Sequence, residues 1–359
     1  MPLIVGGGPA GAAAAIKLAQ GGMRPVIVER SRSAADVICG GFISWNSVAL
    51  LNKCGVDAFA LGGHPVDRAR LFSGRRMAEL PLPAGSAGLS RGRLDEALLD
   101  RAVQAGAHLQ RGVTVRALEG GVVRYADGTF ETPDHLVLAT GKHDLRGAAR
   151  PVASKDPAMG LRWRFQVGEA QARAIGDAIE LHLFDRGYAG LVMQEEGMAN
   201  LCLAVRHSAF ARAGRRPGAL LRSLLKEAPV LAERLGEGDF EADAAQAIAN
   251  IPYGWRARGP AEGLYRVGDQ IGVIPSLAGE GVGIALASGM AAADAILAGR
   301  DPQSYQAHVS KGVARPIRSA AMLWALAERP VLARFALPFL NLLPGLGDAV
   351  MRLTRVGLR

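Results

Sequence analysis

Aromatic residues make up only 5% of the chain and no row of them interleaves with basic residues, so stacking platforms for nucleic-acid bases are not evident and nucleic acid is not an expected partner. Cysteine is rarer still. Cys39, Cys54 and Cys202 are too few and too scattered for a disulfide framework or a zinc site, which makes the cytoplasm the expected compartment. No stretch of 18 apolar residues runs uninterrupted, so no spanning helix is expected. Leu3-Ile4-Val5 is already a short apolar run closed by Gly6, and the chain is expected to open on a strand rather than a signal peptide. What is abundant is positive charge: 42 Lys and Arg against 33 Asp and Glu leave +9. That balance favours anionic partners such as nucleotides, phosphates, an acidic carrier protein or an anionic membrane surface. A length of 359 residues with 49% hydrophobic and 21% charged residues suits about two packed domains and excludes wholesale disorder.

The first 40 residues alternate apolar runs with an alanine-rich stretch, the pattern of a βαβ unit on a parallel sheet. Strands are expected at Leu3 to Val5 and Pro25 to Glu29, with a helix from Gly11 to Gln20 between them. A helix from Arg93 to Ala105, a strand at Val113 to Val115, a hairpin turning at Asp127-Gly128 and a buried strand from His135 to Ala139 follow. Longer strand-like segments between Leu161 and Val205 suggest a separate antiparallel sheet, and Leu181, Leu183, Leu191, Met193, Leu201 and Leu203 are read as one apolar face of it. Helical sequence runs from Arg212 to Leu235; Leu264 to Gly268 returns to strand and Gly281 to Leu297 to helix. The expected organisation is α/β: residues 1–150 and 260–300 form a discontinuous dinucleotide-binding domain, 151–259 an inserted substrate domain, and 301–359 a helical C-terminal region.

Gly6-Gly7-Gly8-Pro9-Ala10-Gly11 fits G-x-G-x-x-G between a strand and a helix. Gly6 permits the tight turn, Gly8 lets a pyrophosphate approach the backbone, and Gly11 lets helix and strand pack closely. The second strand ends in Glu29, 18 residues after Gly11, with Arg30 beside it; a carboxylate there accepts from both ribose hydroxyls and repels a 2′-phosphate. An ADP-containing dinucleotide is the ligand this implies. Gly268-Asp269, followed by Gly279-Glu280-Gly281-Val282-Gly283 at the mouth of a helix, offers one carboxylate and several free N–H donors.

That second segment resembles the G-D segment of FAD enzymes, in which the aspartate binds the ribityl O3′ and the next helix points its amino terminus at the flavin pyrimidine ring. Arg91-Gly92-Arg93-Leu94-Asp95-Glu96-Ala97-Leu98 resembles the R-x-x-L-D-x-x-L segment of the same enzymes, which implies that Arg91 reaches the cofactor and that Val113 or Val115 lies beside adenine. Ala139-Thr140-Gly141 is similar to their A-T-G turn, and Cys39-Gly40-Gly41 to the C-G-G segment that lies by the isoalloxazine in geranylgeranyl-reductase-like proteins. Together these segments resemble the FAD-dependent group of geranylgeranyl reductases and aromatic-ring flavin monooxygenases of the para-hydroxybenzoate hydroxylase type. The resemblance implies a Rossmann-like FAD-binding domain of the GR2 type, with Cys39 as the one candidate catalytic side chain. It implies an oxidoreductase acting on an apolar isoprenoid-, lipid- or polyketide-like substrate by reducing a carbon–carbon double bond, with NAD(P)H or an electron-donor protein as the source of electrons. A monooxygenase on a phenolic or polyketide substrate and a flavin-binding electron relay are the alternatives.

The chain departs from the pattern in two places. The D-G pair expected near the end of the first FAD-binding half is replaced by Thr140-Gly141-Lys142-His143-Asp144-Leu145-Arg146, whose cations suit an anionic substrate, a nicotinamide phosphate or solvated surface. The W-x-W signature of flavin halogenases is absent. Between Met322 and Leu353, Pro330, Pro338 and Pro344 rule out one long helix, and Arg329, Arg334, Arg352, Arg355 and Arg359 punctuate the apolar residues. That region is expected to form either a buried helical cap or a surface for anionic lipid.

Overall fold

The computed structural model describes residues 1–33, 36–151, 154–236, 241–342 and 344–357, so Arg359 lies outside the described residues. The first part of the chain runs β1 (Pro2–Val5), α1 (Pro9–Gln20), β2 (Val26–Glu29), β3 (Phe42–Ile43), α2 (Trp45–Lys53), β4 (His64–Ser73), β5 (Arg76–Gly88), α3 (Arg91–Ala105), β6 (His108–Arg111), β7 (Val115–Glu119), β8 (Val122–Tyr125), β9 (Phe130–Glu131) and β10 (His135–Leu138). Next come β11 (Ala158–Gln166), α4 (Glu169–Ile175), β12 (Ala178–Phe184), β13 (Gly187–Met193), β14 (Met198–Arg206), α5 (His207–Arg212), α6 (Pro217–Glu227), α7 (Pro229–Leu235) and β15 (Gln246–Ile251). The last elements are β16 (Leu264–Arg266), α8 (Gly281–Leu297), α9 (Pro302–Gly312), α10 (Ala314–Ala327), α11 (Pro330–Leu342) and α12 (Pro344–Thr354).

A five-stranded parallel sheet in the order β16-β10-β1-β2-β6 carries the first layer. Side chains alternate across it as strand geometry requires. Ile4, Ile27, Val137 and Tyr265 enter the core shared with α1, α3 and α8, whereas Leu3, Val5, Val28, Leu136 and Leu138 meet Val115, Leu118 and Val123 of the small β7-β8-β9 sheet. Both faces are covered, which suits a parallel sheet. Ala12 to Ala15 are fully buried, and at Gly289 of α8 a Cβ would lie 2.2 Å from the Ala10 carbonyl oxygen, so α1 and α8 touch through their backbones.

The strand expected at Val113 to Val115 is instead two strands. β6 pairs with β2 at the sheet edge, Gly112 turns the chain at φ +74, and β7 begins at Val115. His108-Leu109-Gln110-Arg111 carries too few apolar residues to announce a strand, because an edge position leaves it half exposed.

The second layer is an eight-stranded sheet in the order β15-β11-β14-β13-β12-β4-β5-β3. Residues 42–88, placed by sequence within the 1–150 stretch of the dinucleotide domain, supply β3, β4 and β5 to it, with β4 running parallel to β12. Pro65, Pro81, Pro83 and Gly85 hid this hairpin, since such residues argue against strands except near an edge. The expected single apolar face is also corrected by the register. Leu181 pairs with Gly190 and Glu180 with Leu191, while Leu191 pairs with Leu201 and Ala189 with Leu203. Leu191, Met193, Leu201 and Leu203 therefore point into the core covered by α6 and α7, and Leu181 and Leu183 occupy the opposite face with Tyr188 and Ala204. A one-residue offset between strands moves a side chain to the other face.

The helix expected from Arg212 to Leu235 is broken into α6 and α7, because Pro217 and Pro229 stand at first-turn positions and cannot continue a preceding helix. Pro330 and Pro344 open α11 and α12 in the same way, and Pro338 lies inside α11. Arg355 does not reach outward: it forms a 2.6 Å ion pair with the fully buried Glu280 and stacks over Trp45. The Glu280 carboxylate also accepts from Ser44, Asn46 and the Val356 backbone N–H, which fastens the tail to the loop before α8.

Beneath the core face of the large sheet, buried Glu180 accepts from Arg234 at 3.1 Å and lies 3.2 Å from His182 Nε2. Burial lowers the His182 pKa, outweighing the carboxylate, and its Nδ1 has no partner among the described residues. The unfolded chain binds this proton near pH 6.5 and the folded chain at a lower pH, so stability falls as pH drops through 6.5, by at most about 1.4 kcal/mol per pH unit. Urea unfolding at pH 7.5, 6.5 and 5.5 should show a shallower decline for His182→Gln than for the native chain; equal slopes would remove His182 as the cause.

Candidate functional site

A cleft of about 740 Å³ opens at the carboxyl ends of β1, β2 and β10, where an open parallel sheet presents its crevice. Its wall includes Gly6, Gly8, Glu29, Arg30, Arg91, Val115, Thr140, Gly141 and Asp269, so nine of the residues singled out by sequence meet in one cavity although they span more than 260 positions.

The glycines do distinct things. Gly6 has φ +108, and a Cβ on it would lie 2.4 Å from the Ala139 carbonyl oxygen. A Cβ on Gly11 would come within 2.0 Å of the Gly6 oxygen, so Gly11 packs the helix onto the turn, and it is absent from the cleft wall. Gly8, at the N-cap of α1, meets nothing nearer than Arg91 Nη2 at 3.5 Å; backbone there is open to a ligand. Pro9 at the first helical position and Ala10 behind it are buried.

Glu29 accepts from the Gly7 N–H through Oε2 and from the Ser31 N–H through Oε1, both at 2.8 Å. Each oxygen keeps a second lone pair, enough for two hydroxyl donors. Arg91 opens α3 behind the Ser90 cap and forms a two-pronged pair with Asp95 at 2.8 and 2.7 Å. Burial disfavours its charge, but the Asp95 carboxylate outweighs burial and raises the guanidinium pKa. The result is a fixed cation beside Gly8.

The rim is cationic. Arg30 donates to His143 Nε2 at 2.7 Å, and Lys142 Nζ stands 3.8 Å from Asp269 Oδ2. Burial, then Arg30, Lys142 and Arg150, lower the His143 pKa, leaving a neutral imidazole that accepts from Arg30.

Four residues that carried no sequence motif hold this wall and the adjoining loop in place. Arg150, almost wholly buried, donates to Asp144 at 2.7 Å and to the Asp269 carbonyl at 2.9 Å. Gln270 donates to the carbonyls of Gly141 and His143, tying the A-T-G turn to the Gly268-Asp269 segment, while its Oε1 is buried without a partner among the described residues. Arg162 holds Asn200 at 2.6 Å, and Asn200 donates to the carbonyls of Cys39 and Gly40. Isolated arginines and glutamines give no periodic signal; only the meeting of distant segments reveals them.

The remaining sequence candidates stand off the wall of this cavity. Gly268, at φ +59, packs against Ala10, and Gly279 against Phe42. Gly283 lies against Glu280 and Ser47, and Val282 is buried, but Gly281 at the start of α8 faces open space. Cys39 and Gly40 sit on the adjoining loop, where Cys39 Sγ lies 3.5 Å from the Gly41 N–H and a Cβ on Gly40 would meet nothing within 4 Å. Cys54 is buried in the core and Cys202 is half-buried on β14, with burial pushing their thiol pKa values up to about 11 and about 12.

Residues 2–144 match the family model of an FAD-binding domain. Along nearly the whole chain, it is 27% identical to the menaquinone reductase of Mycolicibacterium smegmatis, covering 89% of this chain and 84% of that one, and 24% identical to the FixC protein of Escherichia coli K12, covering 91% and 85%. This chain is an FAD-dependent oxidoreductase, similar over residues 2–144 to that FAD-binding domain family. Among solved structures, the flavin-dependent brominase Bmp2 superposes with a TM-score of 0.76 at 18% identity over 98% of this chain and 92% of that one. A flavoprotein/dehydrogenase from Cytophaga hutchinsonii superposes at 0.75 and 18% over 98% of each. At that identity the likeness is one of fold.

The cleft fits the flavoprotein assignment on its own terms: an open glycine at a helix amino terminus, a fixed cation beside it, and two carboxylates at opposite ends. Glu29→Ala should weaken FAD by about 1–3 kcal/mol through loss of a charged acceptor. Titrating deflavinated protein with FAD by flavin fluorescence measures this, and native affinity in the variant would displace Glu29 from the site.

Proposed function

We propose that this flavoprotein reduces a carbon–carbon double bond in a largely apolar molecule of isoprenoid, lipid or polyketide type, with NAD(P)H or an electron-donor protein supplying the electrons. The observation that carries the reading is the apolar sheet face of Leu181, Leu183, Tyr188 and Ala204, which adjoins the loop of Cys39 and Gly40 through Asn200. The name of the Mycolicibacterium relative, menaquinone reductase, supports an apolar substrate.

In this reading Gly6, Gly8 and the first turn of α1 receive the pyrophosphate, with Arg91 beside it. Glu29 takes the ribose hydroxyls, Asp269 the ribityl chain, and Val115 the adenine; Gly281 presents the α8 amino terminus to the ring. FAD, once bound, supplies the two-electron chemistry, and the protein contributes orientation, electrostatics and exclusion of water. Cys39 has a structural duty in the turn at Gly41 and enters the reaction only as a neighbour of the ring.

No helix among the described residues is long and apolar enough to cross a membrane. Peripheral contact is a different matter. Among the described residues, seven of the fourteen exposed large apolar side chains, Met322, Leu326, Val331, Leu332, Phe335, Phe339 and Leu353, fall within α10 to α12. Trp324, Ala327, Ala333 and Leu337 of the same helices are buried, so the stretch is both cap and surface. Exposed Arg329, Arg334 and Arg352 accompany the apolar side chains, a composition suited to the headgroup region of an anionic bilayer.

Two experiments test these readings. Chemically reduced holoprotein mixed anaerobically with quinone or polyenyl acceptors should reoxidise without air; product that forms only with oxygen would favour the monooxygenase, and no reoxidation by any organic acceptor would favour the relay. Flotation with phosphatidylglycerol-containing liposomes should carry the protein upward at low salt and less so for Phe335→Ser/Phe339→Ser; absence of flotation at either low or moderate salt would leave these helices as a cap alone.

A further inference from the structure

Three hydroxyls from distant parts of the chain meet where the large sheet faces the segment leading into α8. Tyr188 on β13 donates to Ser276 Oγ at 2.8 Å, and the Tyr253 hydroxyl lies 2.6 Å from the same oxygen. Trp324 of α10 stands edge-on to both phenols, with ring centroids 5.7 and 5.5 Å away. Leu181, Leu183 and Leu277 complete the apolar surround. Tyr188 is buried at one end of the cluster, Tyr253 is half-buried, and Ser276 is exposed at the other.

Counting protons gives the cluster a direction. Three O–H groups share two internal hydrogen bonds, and the Tyr188 proton is committed to Ser276. Whichever way the second bond runs, one O–H remains, on Ser276 or on Tyr253, with no acceptor among the described residues. Burial raises both phenol pKa values, so neither ionises near neutral pH to become that acceptor. The cluster thus ends in one free O–H donor, framed by apolar side chains. Its position suits a substrate: Ser276 stands seven residues beyond Asp269 and five before Gly281, and Tyr188 shares its sheet face with Asn200, which holds the Cys39 loop.

We propose that Tyr188, Ser276 and Tyr253 form a recognition site for a carbonyl oxygen on an otherwise apolar substrate. The inference rests on the oxidoreductase reading above and narrows it, from any apolar molecule to a ring or chain that carries a carbonyl, as quinones and polyketides do and isoprenoid hydrocarbons do not. Ser276 is a binding and positioning residue in this account; no proton is transferred from it.

The test uses FAD-loaded protein and two probes of nearly equal shape, menadione with two carbonyls and 2-methylnaphthalene with none, each titrated against the flavin absorbance. The native protein should bind menadione at least tenfold more tightly. Ser276→Ala should lose about tenfold in menadione affinity, leave 2-methylnaphthalene unchanged and keep its full flavin content, and Ser276→Thr should restore the preference. Equal menadione affinity in Ser276→Ala and the native protein, or no preference in the native protein, overturns the carbonyl site while leaving the apolar-substrate reading intact. If neither probe perturbs the native flavin, the apolar-substrate reading falls and this inference falls with it.

Discussion

Main chain touches main chain at the carboxyl ends of β1 and β10, and the cleft depends on that contact. The would-be Cβ of Gly6 lies 2.4 Å from the Ala139 oxygen and that of Gly11 2.0 Å from the Gly6 oxygen. With any side chain at either position, α1 would be pushed off the sheet and its amino terminus turned from the cavity. The same economy of atoms repeats where Gly289 receives Ala10, which lets α8 lie directly on α1. Both helices can then direct their amino termini to the end of the molecule where the cleft opens.

Polar groups fix the cleft wall and the loops beside it. Arg150 and Gln270 bind carbonyls of two segments more than a hundred residues apart, Arg162 and Asn200 hold the Cys39 loop to the large sheet, and Arg355 reaches buried Glu280. Buried ion pairs add little net stability, because desolvation cancels much of the attraction, but removing one partner strands the other. Their effect is to fix positions: each joins backbone at the cleft or its neighbouring loops to an element that would otherwise be free to shift.

The large sheet and the C-terminal helices divide their surfaces in the same way. On β12 to β14 one face packs under α6 and α7, and the other meets Trp324 and α10. On α10 to α12 one side seals that second face and the other remains apolar and exposed.

Local sequence determined the parts that need only neighbouring residues. The glycines of the first turn, Glu29 at the end of β2, the Ser90-capped helix beginning at Arg91, and the Gly268-Asp269 turn are each written within a few positions, since turn geometry, capping and strand alternation act over that range. Tertiary structure decided the rest. Pairing of β4 with β12 across more than a hundred residues drew residues 42–88 into the second sheet, and register alone sent Leu191 and Leu201 to one face and Leu181 and Leu183 to the other. Arg355, for which sequence left open a buried cap or a lipid-facing surface, is half-buried against the fully buried Glu280. Tyr188, Ser276 and Tyr253 carry no common pattern, because a hydrogen bond depends on distance in space and the folded chain alone brings the two phenol oxygens to 2.8 and 2.6 Å from Ser276 Oγ.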